Sequence, residues 1–183
     1  LEFFIENFSG IVVLDEAYIE FSSRKSAISW LAKYPNLIVL QTLSKAYGMA
    51  GLRIGIGAAS TEIATLMNTI KGPYNVNSLS QKIALEQLND EKVFKENLEQ
   101  ILAEREFLKV QLNELDFVKK IYPTEANFFL IKVENPIEIY EFLLAQNILT
   151  SLRHPQIENA LRINVGSKEE NQKLIETLKN YKK

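Results

Sequence analysis

The chain has 183 residues, with 21 lysines and arginines against 23 aspartates and glutamates, a formal charge of −2, no cysteine and one histidine. That length can bury a core as one medium domain or two small ones. The balanced charge gives no basic stripe for nucleic acid, and the side-chain inventory excludes disulfides and thiolate metal sites, so no metal is expected.

Leu1 to Phe8 suits the closing turns of a helix, stopped near Ser9-Gly10. Ile11-Val12-Val13-Leu14 is a short apolar run rich in β-branched residues, the pattern of a strand covered on both faces in a parallel α/β sheet. It ends in Asp15-Glu16-Ala17-Tyr18. Ala27, Ile28, Leu31 and Tyr34 recur at helical spacing, and Pro35-Asn36 stops that helix. Leu37 to Leu40 is a second strand, so the unit is βαβ and its two strands are expected to be parallel.

The stretch Thr42-Leu43-Ser44-Lys45-Ala46-Tyr47-Gly48-Met49-Ala50-Gly51-Leu52-Arg53 follows. Ser44 to Leu52 is too short for a parallel crossover, which needs a dozen or more residues. The third strand, Ile54 to Ala58, is therefore expected to run antiparallel and to return Arg53 to the edge where Asp15 and Lys45 lie. That is the edge at which α/β sheets bind ligands. Gly48 and Gly51 supply backbone freedom for the return. A lone lysine after a strand is ordinarily a solvated loop residue. Here an acid, two hydroxyls and a guanidinium keep it company, and a buried or half-buried lysine becomes an amine nucleophile.

Further on, Ser78 to Asn89 and Glu91 to Leu115 carry long helical patterns whose Lys/Glu-rich faces suit solvent. Phe117 to Ile121 and Asn127 to Val133 read as strands, Ile137 to Gln146 as a helix, Leu161 to Val165 as a strand and Lys168 to Tyr181 as the last helix. No apolar run approaches membrane-spanning length, and Leu1-Glu2-Phe3-Phe4 lacks a basic n-region. A cytoplasmic protein without a membrane partner is expected. The chain begins without Met and reads as a piece of a longer one.

Asp15-Glu16-Ala17-Tyr18, Thr42-Leu43-Ser44-Lys45 and Gly51-Leu52-Arg53-Ile54-Gly55, in that order and spacing, resemble the fold-type I, pyridoxal-phosphate-dependent aminotransferases, and within them the histidinol-phosphate aminotransferases. The resemblance implies pyridoxal 5'-phosphate as cofactor. Lys45 would condense with its aldehyde, Asp15 would hold the ring nitrogen protonated, and Tyr18 would hydrogen-bond the ring hydroxyl. Thr42, Ser44 and Arg53 would grip the phosphate. Lys71-Gly72-Pro73-Tyr74-Asn75-Val76-Asn77 resembles the loop before the family's long interdomain helix, a region near the subunit boundary in relatives, and a homodimer is implied.

Glu125-Ala126-Asn127-Phe128 and Leu161-Arg162-Ile163-Asn164-Val165-Gly166 match the family's small-domain strands, which assigns Asn127 and Arg162 to the substrate. A lone arginine in such a strand can equally be an edge or snorkelling residue. The family's second anion-binding arginine falls in Thr150-Ser151-Leu152-Arg153-His154-Pro155, where either Arg153 fills the role or Ser151 occupies its place. His154 suits an exposed loop.

The expected fold is α/β: residues 1–78 as the C-terminal part of a cofactor-binding large domain with a mixed sheet, 79–115 as interdomain helices, and 116–183 as an α+β small domain. The family's N-terminal half, with its glycine-rich phosphate loop and ring-stacking aromatic, has no counterpart in these residues. Taken alone, the chain is expected to be inactive, with Asp15 and Lys45 facing water and the strand faces uncovered. The implied reaction is amino transfer between histidinol phosphate and 2-oxoglutarate in histidine biosynthesis. The alternatives are a threonine-phosphate decarboxylase, an aromatic aminotransferase, or a non-catalytic fold-type I domain serving assembly or regulation.

Overall fold

The structure, a computed structural model, describes residues 1–181. It divides into two compact units, Leu1–Lys95 and Glu96–Lys183.

The first unit opens with α1 (Glu2–Asn7), β1 (Val12–Asp15) and β2 (Leu37–Thr42). The two strands are parallel, with Val12 opposite Leu37 and Asp15 opposite Leu40. The end of α1 is tied to the start of β2 by Asn36, whose Nδ2 donates to the carbonyls of Ile5, Phe8 and Gly10. β3 (Gly55–Ala59) runs antiparallel to β2, with Thr42 opposite Gly55, and the sheet order is β1-β2-β3. This is the topology that the short Ser44–Leu52 link requires.

Two expectations change. The periodic stretch Ala27–Tyr34 forms only a 3₁₀ turn, Ala27–Trp30, followed by further tight turns, with Leu31 N–H donating to the Ile28 carbonyl and Tyr34 N–H to that of Trp30. Ser26 opens the turn by accepting from Ile28 N–H, Pro35 closes the eight-residue stretch, and one apolar side suffices to cover the sheet. The covering of the strands also differs: β1 is covered on one face only, while Leu37, Ile38 and Val39 of β2, expected to be uncovered, are buried. Ile5, Ala27, Tyr34, Leu37 and Val39 form a small core against which Val12 and Leu14 pack, while Ile11 and Val13 remain 55% and 54% exposed.

The unit continues with α2 (Thr61–Ile70), α3 (Ser78–Leu88) and the start of α4 (Glu91–Asn113). Helix α2 lay outside the expected elements. Ser60 caps it by accepting from Ile63 N–H, and Ile63, Leu66, Met67 and Ile70 recur along it at helical spacing.

The second unit holds the rest of α4, then β4 (Val118–Ile121), β5 (Phe128–Val133), α5 (Pro136–Ala145), β6 (Ser151–Leu152), β7 (Ala160–Asn164) and α6 (Lys168–Lys179). Its sheet is antiparallel in the order β4-β5-β7-β6. Phe129, Ile131, Val133, Leu161 and Ile163 alternate onto one face. They meet Leu108 and Leu112 of α4, Ile139 and Leu143 of α5, and Leu174 and Leu178 of α6 in a single core. The two-residue strand β6 falls inside the stretch expected to be a loop.

Candidate active site

Position along the strands decides what reaches the C-terminal edge of the first sheet. Asp15 ends β1, Thr42 ends β2, and Arg53 stands two residues before β3. The chain between Thr42 and Arg53 is anchored from below: Leu43, Ala46 and Met49 are buried, and Leu43 and Met49 cluster with Ala84 of α3. Burying a leucine or methionine side chain contributes about 1.5–3 kcal/mol, enough to fix so short a loop. Lys45, between two of these anchors, is left on the outer side. It is exposed, as expected for this chain taken alone, because the anchors turn inward and none of the described residues covers the other side.

The Lys45 carbonyl accepts from Gly48 N–H, and Gly48 sits at φ +67°, where a side chain would be strained. The freedom expected at Gly51 is needed elsewhere. Gly51 lies in the 3₁₀ turn Ala50–Leu52, and the left-handed position is Arg53, at φ 57°. Arg53 Nη1 donates to the Ala50 carbonyl at 3.0 Å, which aims the guanidinium back over the loop.

The side chains gather at this edge. Lys45 Nζ lies 5.3 Å from the centre of the Tyr18 ring. Asp15 Oδ1 accepts from Ala17 N–H at 3.0 Å, a tight turn that sets the direction of the Asp15–Tyr18 loop. Thr42 Oγ1 donates to the Ile54 carbonyl and accepts from Ser44 N–H, tying both ends of the Lys45 loop. Asp15, Tyr18, Thr42, Ser44, Lys45 and Arg53 therefore share one edge of one sheet. An acid, a phenol, two hydroxyls, an amine and a guanidinium thus stand along it, groups whose chemistry fits a phosphorylated aromatic aldehyde.

Two glutamates of this edge were not among the expected site residues. Glu16 is buried, and its carboxylate accepts from Ser26 Oγ at 2.6 Å, Ala27 N–H at 2.7 Å and Gln41 Nε2 at 3.0 Å. Glu20 has a buried Oε2 with no hydrogen-bond partner among the described residues. Burial pushes its carboxyl above the usual glutamate range, helped by the charge of Glu16. Nearby, Tyr47 stacks on Phe94 with ring centres 4.4 Å apart, and burial raises its phenol.

In the second unit, Arg162 of β7 pairs with Leu130 on one side and Ser151 on the other. It lies on the sheet face opposite the core, half-buried, with its guanidinium 4.7 Å from the centre of the Phe128 ring. Its Nε is buried and has no acceptor among the described residues. Asn127 leads into β5, its carbonyl accepting from Val165 N–H. Arg153 follows β6, where its backbone N–H donates to Ala160, and His154 Nδ1 accepts from Asn159 N–H. Arg162 and Ser151 are thus cross-strand neighbours on one face, while Arg153 stands just past the paired residues. The turn after β7 is held by buried Asn171, which bonds Gly166 through both its amide atoms and donates to Glu104 at 2.8 Å.

The profile of the aminotransferase class I and II family matches residues 1–178. The chain belongs to that family. Within it, a histidinol-phosphate aminotransferase of Flavobacterium johnsoniae is 47% identical over 177 residues, 96% of this chain and 51% of that protein. One of Christiangramia forsetii is 48% identical over 181 residues, 98% of this chain and 52% of that protein. The chain spans about half the length of the curated relatives it matches.

Among solved structures, the histidinol-phosphate aminotransferase from Clostridium acetobutylicum is similar at a TM-score of 0.88 and 27% identity, over 97% of this chain and 55% of that one. The L-threonine-O-3-phosphate decarboxylase from Porphyromonas gingivalis is similar at 0.80 and 25%, over 92% and 54%. The fold expected from the motifs is the fold of these proteins.

Proposed function

We propose that the protein acts in amino transfer between histidinol phosphate and 2-oxoglutarate, with pyridoxal phosphate held by Lys45, Asp15, Tyr18, Thr42, Ser44 and Arg53. One observation carries this reading: topology brings those six residues to a single sheet edge, with the Lys45 ammonium against the Tyr18 ring. Bound there, the cofactor would supply an electron-accepting ring that stabilises negative charge at the substrate α-carbon. Asp15 would keep a proton on the ring nitrogen, and the Tyr18 hydroxyl would donate to the ring oxygen. Thr42, Ser44 and Arg53 would hold the phosphate by charge-assisted bonds, and Lys45 Nζ would take and return the proton at the substrate α-carbon.

Arg162 reads the anionic group of the substrate through its buried Nε, with Asn127 and either Arg153 or Ser151 beside it. A cytoplasmic homodimer belongs to the same reading. The likeness to a threonine-phosphate decarboxylase supports a second reading, in which the same residues serve loss of carbon dioxide from a phosphorylated amino acid.

Full-length protein incubated with pyridoxal phosphate, reduced with borohydride and mapped by peptide mass should carry the cofactor on Lys45. A separate, unreduced sample should form glutamate from 2-oxoglutarate and histidinol phosphate. Label elsewhere, or undiminished label in Lys45→Ala, would overturn the assignment. Label without turnover would favour the non-catalytic alternative, and carbon dioxide release from threonine phosphate the decarboxylase.

A further inference from the structure

We propose that Glu16 is a positioning residue that locks the Asp15–Tyr18 loop onto the strand leading to Lys45, through the buried cluster Glu16–Ser26–Gln41. The inference rests on the functional reading above. Glu16 lies between Asp15 and Tyr18, the two residues assigned to the ring, and Gln41 immediately precedes Thr42, assigned to the phosphate.

One carboxylate joins three segments: Oε1 accepts from Ala27 N–H at 2.7 Å, while Oε2 accepts from Ser26 Oγ at 2.6 Å and Gln41 Nε2 at 3.0 Å. Gln41 Nε2 also lies 3.1 Å from Ser26 Oγ, closing the cluster. The Glu16 backbone N–H donates to the Leu40 carbonyl at 2.8 Å, extending the β1–β2 pairing one residue into the loop.

A buried carboxylate with three donors is costly to disturb, because any donor left unpaired keeps its desolvation penalty. Asp15 and Lys45 are both exposed. Neither is fixed by burial, so their separation depends on how firmly the two loops are joined beneath them. Glu16 is the side chain that joins them. It serves Asp15 and Tyr18 indirectly, without contact to the substrate.

The test compares full-length wild type, Glu16→Gln and the exchange Glu16→Gln/Gln41→Glu, which moves the carboxylate across the cluster and keeps every bond available. Three readings are taken. They are the pyridoxal phosphate dissociation constant by quenching of intrinsic fluorescence, the pH midpoint of the lysine-bound cofactor's absorption band, and the melting temperature. In Glu16→Gln two amides face each other, and binding should weaken about tenfold, as expected for one charge-assisted contact, with a displaced midpoint.

The exchange should restore affinity to within about threefold and return the midpoint. If Glu16→Gln does not fold, Ser26→Ala, which removes one donor, decides by the same readings. Wild-type affinity and midpoint in the variants, with or without a lower melting temperature, would reduce Glu16 to a structural residue and overturn the proposal. Absence of cofactor uptake by wild type would overturn the functional reading itself and this inference with it, so the two failures are told apart.

Discussion

A donor buried without an acceptor, as Arg162 Nε is, costs about 1–3 kcal/mol until something accepts from it. Phe128 covers one face of the guanidinium, which leaves the edge for an anion. Steady-state kinetics of full-length Arg162→Ala should show kcat/KM lowered by about 2–4 kcal/mol for a phosphorylated amine substrate. Arg162→Lys should recover only part of it, since the charge returns and Nε does not. Equal small losses with phenylalanine and histidinol phosphate would leave Arg162 a structural residue. Glu20 Oε2 is the opposite case, a buried acceptor atom without a donor among the described residues. Its carboxyl is raised in the folded state, so the folded protein binds its proton more tightly than the unfolded chain. Stability from this group is full below the unfolded value of about 4.3 and is lost as pH rises through the folded value. Glu20→Gln should therefore raise the urea midpoint at neutral pH, and the gain should vanish in acid.

At the scale of elements, α6 begins with a reciprocal cap. Ser167 Oγ accepts from Glu170 N–H, and Glu170 Oε2 accepts from Ser167 N–H. Ser167→Ala should cost about 1 kcal/mol by chemical denaturation, and the turn that follows Arg162 should loosen with it. Strong periodicity made α4, α5 and α6 legible in the sequence. The strand directions of the first sheet were legible for another reason: the short Ser44–Leu52 link forces a return, and the longer link after β1 was read as a βαβ crossover, whose direction holds although its helix does not form. The Ala27–Tyr34 stretch misleads because eight residues at helical spacing do not distinguish an α-helix from successive 3₁₀ turns. Helix α2 carried a readable cap and apolar spacing, so its omission was avoidable. β6, at two residues, left no pattern to read. The six edge residues could be placed on one edge because each stands at a strand end or in the loop beside one. Glu16 could not, since a glutamate after a strand is ordinarily solvated. Its burial depends on Ser26 and Gln41, 10 and 25 positions away.

For the whole molecule, the first unit presents two open strand edges, β1 and β3, and exposed Phe3, Phe4, Phe8, Ile11 and Val13. Further along, Leu66, Ile70, Leu79 and Leu85 are also exposed. Unpaired edges beside apolar side chains favour association with other chains. The purified 183-residue chain is expected to self-associate in light scattering and, with Asp15 and Lys45 open to water, to show no turnover with saturating cofactor. A monodisperse monomer with turnover near that of the full-length protein would mean that the site needs fewer residues than argued above.

The left-handed backbone at Arg53 sets two selective pressures against each other. Glycine would relieve the conformational cost of that position, about 1 kcal/mol or more, yet would remove the guanidinium assigned to the phosphate. A library of substitutions at position 53, sorted once for folded yield and once for cofactor retention, should rank glycine near the top of the first list and near the bottom of the second. The same residue would then be a poor choice for durability and a necessary one for the reaction.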